Sequence, residues 1–146
     1  IKSQPELIQR MIDEGHIVGN HSDKHPCFPE VSIERREQEV LNVHQYMLDN
    51  YNYTMTLFRA PAGEFSEQTL AQTQELGYKT VFWSYAYKDW DPNNQMGPEN
   101  ALPKITKALH PGAIYLLHAV SPDNAAILGD FIDNAREAGY NFALFQ

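Results

Sequence analysis

Apolar side chains recur every three or four positions in five stretches of the chain, which is the spacing of amphipathic helices. The first stretch shows the pattern at Leu7, Ile8, Met11 and Ile12. Serines suited to N-capping precede four stretches, at Ser3, Ser32, Ser66 and Ser121, and glycines follow three, at Gly15, Gly77 and Gly139. In the fourth stretch, which follows Pro98, a helix can accept Pro103 only within its first turn. The fifth helix is predicted to face inward through Ile127, Leu128, Phe131, Ile132 and Ala135.

Short apolar runs alternate with these helices and predict strands. They cover residues 16–20, 56–59, 80–83, 113–117 and 140–145. Strands that alternate with helices, and that are apolar without interruption, are typical of a parallel sheet covered by helices. The predicted fold class is therefore α/β.

Composition limits the classes of partner. Residues 1–146 fit one domain, with 42% hydrophobic and 12% aromatic residues. The net charge of −8 argues against a nucleic-acid partner, because neutralising phosphates needs a basic face. No apolar run approaches membrane-spanning length. Cys27 is the only cysteine, so an intrachain disulfide is excluded, and an inert small residue is favoured over a metal ligand.

Residues capable of chemistry follow four of the predicted strands. His21 and His25 follow the first, Arg59 ends the second, Asp89 lies in the loop after the third, and His118 ends the fourth. Ligands of parallel α/β proteins bind beyond the carboxyl ends of the strands. The four strand ends are therefore predicted to share one rim and one site.

These residue types suit metal-assisted hydrolysis of an amide or ester. Two histidines and an oxygen ligand leave open positions on a divalent ion for water and substrate. His118 could act as the acid, with Asp89 favouring its charged ring. Arg59 could orient a carboxylate bidentately or bind an anionic substrate group, and Trp90 could form an apolar wall for a small acyl group.

Each residue also has a purely structural interpretation. The histidine pair could be solvated, His118 could be a satisfied core residue, and Arg59 could cap a turn. Trp90 could belong to the core, and Asp89 with Asp91 suits any polar loop. The local sequence leaves these alternatives open.

Taken together, four short segments resemble the polysaccharide deacetylases of carbohydrate esterase family four. Residues 19–26, Gly-Asn-His-Ser-Asp-Lys-His-Pro, match the family's metal-binding segment, and residues 59–63, Arg-Ala-Pro-Ala-Gly, match its Arg-x-Pro-x-Gly segment. Residues 88–90, Lys-Asp-Trp, resemble the Asp-Trp motif, and residues 116–118, Leu-Leu-His, the Leu-x-His motif. All four occur in family order across the chain. Residues 63–66 and 82–90 are similar to the branch with delta-lactam-biosynthetic de-N-acetylases, which act on muramic acid in spore cortex peptidoglycan.

The resemblance implies a distorted (β/α) barrel and a division of roles. His21 and His25 would bind zinc or another divalent ion, and Arg59 would hold the catalytic base. The Ala62 N–H would stabilise the oxyanion, and His118, tuned by Asp89, would be the acid. The acetyl pocket would be lined by Trp90 and Leu116. The implied substrate is a cell-wall glycan, the products are free amine and acetate, and the implied location is extracytoplasmic.

One family segment has no counterpart in these 146 residues. The family's first strand ends in Thr-Phe-Asp-Asp-Gly, which supplies the base and the third metal ligand, and this sequence contains no such run. The hypothesis is a domain without its first strand-helix-strand portion, a unit of about 30 or more residues, and without deacetylase activity as given. An open sheet edge would then favour self-association.

Two other interpretations stay open. One is a glycan-binding or structural remnant that keeps the cleft and not the chemistry. The other is a different metallohydrolase in which Asp89 or Asp91 completes the site. Asp23 is a further possible substitute ligand.

Overall fold

A computed structural model describes residues 2–145 of the protein, which form two compact units. The first unit contains residues 2–82 with 144–145, and the second contains Trp83–Ala143. Both units combine helices with short parallel strands, as the alternating pattern predicts. No helix within residues 2–145 has the length and apolar character needed to cross a membrane.

Three helices belong to the first unit: α1 Pro5–Asp13, α2 Ile33–Tyr51 and α3 Glu67–Glu75. Ser32 caps α2 by accepting the Arg35 N–H, and Ser66 forms a capping box with Thr69. The prediction of a cap at Ser3 is wrong, because α1 begins after Gln4 and no side chain caps it. Pro5 occupies its first position, where the missing N–H costs nothing.

The sheet of the first unit is small and parallel. Strands β1 Leu57–Phe58 and β2 Lys79–Thr80 pair in parallel, with Leu57 opposite Lys79. On the other side of β1, the Asn20 N–H donates to the Leu57 carbonyl at 2.7 Å, and the Arg59 N–H donates to the Asn20 carbonyl at 2.9 Å. A side chain at Gly19 would place its Cβ 3.3 Å from that Leu57 oxygen. Glycine therefore permits the close approach that delivers the histidine segment to β1.

The core of the first unit is built from α2, β1 and the segments around them. Its buried members are Val18, Phe28, Val40, Met47, Met55, Phe58, Ala60 and Tyr78. Ile8 and Ile12 of α1 pack against this core, although α1 has no fully buried residue. Two 3-10 turns, Phe28–Glu30 and Pro61–Gly63, complete the unit.

The second unit contains β3 Tyr85–Ala86, α4 Pro98–Lys107, β4 Tyr115–Leu116 and α5 Pro122–Glu137. β3 and β4 pair in parallel, and α4 packs against α5. The core consists of Tyr87, Ala101, Ile105, Ile127 and Phe131. Leu128 is 47% exposed, so its predicted inward position is wrong, whereas Ala135 is buried as predicted.

Pro103 lies at the sixth residue of α4, beyond the first turn, and contradicts the sequence-based expectation. A proline there leaves the Glu99 carbonyl without its helical donor. Both Pro103 and Glu99 are exposed, so water can replace that donor and the helix continues.

Three predicted strands differ from those observed. Segment 16–20 contributes only the bridge at Asn20, and the strand predicted at 80–83 is β2, which begins at Lys79 and ends at Thr80. Residues 140–145, all of which the structure describes, form no strand. Strand β3 was not expected, since it lies in a region predicted to be a loop. The observed ladders are only two residues long, which is shorter than an apolar run alone suggests.

Candidate functional site

The loop that carries His21 and His25 starts from a buried asparagine. Asn20 is 1% exposed, and its side-chain amide donates to the Val40 carbonyl at 2.9 Å and to the Tyr78 hydroxyl at 3.2 Å. Its side-chain oxygen accepts the Ser22 N–H at 2.9 Å. The start of the loop is therefore fixed to α2 and to the residue that precedes β2.

The two histidine rings lie against each other. Their centroids are 4.9 Å apart, with the ring planes at 80°. His21 Nδ1 lies 2.6 Å from the Arg59 carbonyl oxygen. A carbonyl only accepts, so Nδ1 carries the proton and Nε2 carries the lone pair that a metal would use. Backbone fixation of this kind is usual for histidines that bind metals.

The backbone of this loop is strained at two places. Ser22 and His25 have φ values of 67° and 56°, in the left-handed region that residues with a side chain rarely adopt. The His25 N–H donates to the Ser22 hydroxyl at 3.0 Å, which links the two strained residues. Each such conformation costs about 1 kcal/mol or more, and persists where its surroundings hold it.

Arg59 and Ala62 lie where the chain leaves β1. The Arg59 side chain is half-buried, and burial lowers its pKa from the ordinary value, although a guanidinium stays charged. Within residues 2–145 no carboxylate pairs with it. Ala62 adopts φ 55° in an exposed turn.

In the second unit, Asp89 and His118 form a close pair. His118 Nδ1 lies 2.7 Å from Asp89 Oδ1, and the His118 backbone N–H donates to Asp89 Oδ2, also at 2.7 Å. Asp89 is fully buried, and the His118 side chain is 29% exposed. The carboxylate therefore holds the ring in one orientation, through hydrogen bonds to its Nδ1 and to the His118 backbone.

Asn124 at the start of α5 completes the surroundings of Asp89. Its amide donates to Asp89 Oδ2 at 2.6 Å and to the His118 carbonyl at 3.1 Å, while its oxygen accepts the Tyr87 hydroxyl at 2.5 Å. The Asp89 side chain thus accepts three hydrogen bonds, which satisfy its oxygens away from water.

A further pair of polar residues fixes the loop that carries Asp89. The Ser121 hydroxyl caps α5 through the Asn124 N–H and donates to the Gln95 side-chain oxygen. The Gln95 amide donates to the carbonyls of Asp89 at 3.0 Å and Asp91 at 2.7 Å. Sequence analysis missed Asn124, Tyr87 and Gln95; the helix-capping position of Ser121 was the one available signal.

The residues predicted to line an acetyl pocket are placed differently from each other. Trp90 is 56% exposed, with Lys88 Nζ 5.5 Å from its ring centroid, so the alternative of a core tryptophan is wrong. Leu116 is half-buried on β4. Their contact with an acyl group stays a prediction.

The structure brings together two predicted pairs, His21 with His25 and Asp89 with His118, each within its own unit. The single rim predicted for all four stays a prediction. Among residues 2–145, no three His, Cys, Asp or Glu side chains cluster closely enough to hold a metal ion. The histidine pair therefore supplies two nitrogen donors of the kind that zinc prefers, and the described chain adds no third.

Cys27 is protonated rather than poised to bind a metal. Its thiol donates to Glu64 Oε2 at 2.9 Å, and this hydrogen bond, with further help from desolvation and nearby carboxylates, raises its pKa to about 11. At pH 8 we expect iodoacetamide to alkylate Cys27 at least about tenfold more slowly than a free thiol, because only the thiolate reacts. Glu64→Ala should accelerate alkylation and Glu67→Ala should not; equal rates in all three proteins would contradict the assignment.

Known proteins resemble the chain over nearly its whole length. Residues 1–81 match the family model described as Polysaccharide deacetylase. Peptidoglycan-N-acetylmuramic acid deacetylase PdaA of Bacillus subtilis is 46% identical over 144 residues, which are 97% of this chain and 54% of that protein. The chain spans about half the length of these curated relatives.

Solved structures show the same fold. The structure of Bacillus subtilis PdaA, a family 4 carbohydrate esterase, matches with a TM-score of 0.91 and 46% identity, over 97% of this chain and 61% of that one. A family 4 carbohydrate esterase from Streptomyces lividans, in complex with acetate, matches with a TM-score of 0.87 over 99% of this chain and 73% of that one. At 22% identity, the second likeness concerns the fold alone.

Proposed function

The chain belongs to the polysaccharide deacetylase family, and from this premise we propose that it forms part of an enzyme that removes N-acetyl groups from a cell-wall glycan. The proposed substrate is peptidoglycan, at its N-acetylmuramic acid residues, including those of the spore cortex. The relative that is 46% identical is named for that activity, and the proposal extends it to this chain. The products would be a free amine and acetate.

The pair of Asp89 and His118 is the observation that carries the proposal. Amide hydrolysis needs an acid to protonate the departing amine. Because His118 Nδ1 donates to Asp89, Nε2 is the nitrogen that would hold and deliver that proton. Asp89 would act as the carboxylate does in other carboxylate–histidine pairs: it would keep the ring in one tautomer and stabilise the positive charge that forms during the reaction.

Family membership is compatible with a divalent metal cofactor, and we propose that His21 and His25 would hold it. Imidazole nitrogens are ligands that Zn²⁺ commonly takes in proteins. The hydrogen bond from His21 Nδ1 leaves Nε2 as the nitrogen that could bind the ion. When bound, such an ion lowers the pKa of a water molecule and polarises a carbonyl group.

The remaining site residues would hold the catalytic base and bind the substrate. The half-buried Arg59 guanidinium would hold the carboxylate of a catalytic base, because a partly desolvated cation gains more from an ionic partner than an exposed one does. The Ala62 N–H, in an exposed turn, would donate to the developing oxyanion. Trp90 and Leu116 would border the acetyl methyl group.

The finer features of the family are part of the same proposal. Residues 1–146 would belong to a single catalytic domain whose fold is a distorted (β/α) barrel. Its location would be extracytoplasmic, where peptidoglycan lies. Self-association through an open sheet edge is also part of the proposal.

The test is acetate release from peptidoglycan fragments in the presence of Zn²⁺. The chain as given is expected to release none. A chimera that carries, ahead of residue 1, the Thr-Phe-Asp-Asp-Gly segment and following helix and strand of the family is expected to release acetate. Robust turnover by the chain alone would refute the assignment of the base to that segment, and an inactive but folded chimera would refute the proposed activity.

A glycan-binding or structural remnant is the second candidate. It is favoured by one observation, namely that residues 2–145 contain no cluster of three metal-binding side chains. A remnant should bind no Zn²⁺ through His21 and His25, so zinc titration of the chain and of His21→Ala separates the two functions.

A further inference from the structure

Glu39 is an unexpected residue in the interior of the first unit. It lies on α2 and is 2% exposed. One carboxylate oxygen accepts the Lys24 backbone N–H at 2.6 Å, and the other accepts two hydrogen bonds from Arg35, at 3.0 and 2.5 Å. One oxygen of the carboxylate therefore contacts the histidine loop at Lys24, between His21 and His25.

Burying this carboxylate is costly, and stability alone does not require it. Removing a charge from water costs several kcal/mol, and an apolar residue in such a place is often equally stable or more so. The Arg35 side chain is 49% exposed, so the ion pair is open to solvent on one side and contributes little. The hydrogen bond to Lys24 is what an apolar residue could not supply.

Lys24 stands between the two strained residues of the loop. Ser22 and His25, with φ values of 67° and 56°, would relax toward ordinary backbone conformations if the loop were released. A change of φ at His25 redirects its side chain, and the ring would then leave its position 4.9 Å from that of His21. Two hydrogen bonds restrain the loop ahead of His25. Asn20 accepts the Ser22 N–H, and Glu39 accepts the Lys24 N–H.

We infer that Glu39 is a positioning residue, whose buried carboxylate holds the Lys24 N–H and so keeps the His21 and His25 rings in the arrangement that binds a metal ion. The inference rests on the metal site of the proposed function. It assigns to α2 a role in that site, although α2 contributes no ligand.

Two measurements test this role in the whole chain. In Glu39→Ala, the Lys24 amide should exchange with solvent about tenfold faster or more, because its acceptor is gone. The Kd for Zn²⁺ alone, measured by calorimetric titration, should rise about 10- to 100-fold, as for other residues that orient metal ligands. Glu39→Gln keeps one acceptor oxygen and should recover most of the zinc affinity.

Arg36→Met is the matched control. Like Glu39, Arg36 is a buried charged residue on α2, but its hydrogen-bond partners lie outside the histidine loop. It should lower stability while leaving Lys24 exchange and zinc affinity unchanged. Zinc affinity that falls equally in Arg36→Met and Glu39→Ala would overturn the inference, as would unchanged Lys24 exchange in Glu39→Ala. Absence of zinc binding in the unmodified chain would instead refute the proposed metal site, and Lys24 exchange would still decide whether Glu39 holds the loop.

Discussion

Replacing His118 with alanine in the acetate-releasing chimera is expected to lower kcat about 10²- to 10⁴-fold. In the proposed function, His118 would supply the proton that the departing amine needs. The Asp89 carboxylate, 2.7 Å away and fully buried, holds its ring in one orientation. The measurement is acetate release from peptidoglycan fragments at saturating substrate, with folding checked by circular dichroism.

Two companion variants locate the effect. His110→Ala is the control, because His110 is exposed and its Nδ1 lies against the carbonyl of Ala108 in its own turn. Its activity should equal that of the unmodified chimera. The activity of Asp89→Asn should lie between those of His118→Ala and the control, because asparagine keeps the size of the side chain but replaces the carboxylate that orients the His118 ring. Full activity in His118→Ala would remove this histidine from the mechanism.

The largest loss of stability is expected from Arg36→Met. Arg36 is 3% exposed, and its guanidinium donates to the carbonyls of Phe28 and Val31 and to the side chains of Gln68 and Gln72, over distances of 2.6 to 3.1 Å. Methionine fills a similar volume and donates nothing, so the carbonyls lose their partner. The free energy of unfolding should fall by about 3 kcal/mol, measured by urea denaturation.

A surface arginine provides the comparison. Arg10 pairs with Glu14 at 2.7 Å, but its side chain is 70% exposed. Arg10→Met should therefore change the free energy of unfolding by less than about 0.5 kcal/mol. Comparable losses in the two variants would contradict this prediction, because the buried hydrogen bonds of Arg36 would then add no more stability than an exposed ion pair does.

The chain's periodicity predicted the helices well because their signals are local. Ser32, Ser66 and Ser121 precede helices whose apolar faces and caps all lie within a few turns of each other. The strand limits were less accurate, since a ladder depends on a partner distant in sequence. Asn20 pairs with Phe58, a partner that no local pattern identifies, and the apolar segment 140–145 forms no ladder within the described residues.

The same distinction divides the candidate site. Histidine spacing pointed to His21 and His25, and motif order led to the pairing of Asp89 with His118. The supporting residues Glu39 and Asn124 were missed, because each acts on a partner 15 or more positions away and looks like an ordinary helix residue. A residue's chemical type shows what it can do, whereas its support depends on tertiary contacts.

The bridge between Asn20 and β1 also affects thermodynamic linkage. Asn20, Phe58 and Tyr78 belong to three distant segments, and the histidine loop takes its shape only where these segments meet. An ion held by His21 and His25 would thus bind the folded state and scarcely the unfolded chain. At a free concentration 100 times its Kd, it would add about 2.7 kcal/mol to the stability of the first unit. Metal binding and folding of the first unit would then be coupled, so that a change in either one would shift the other.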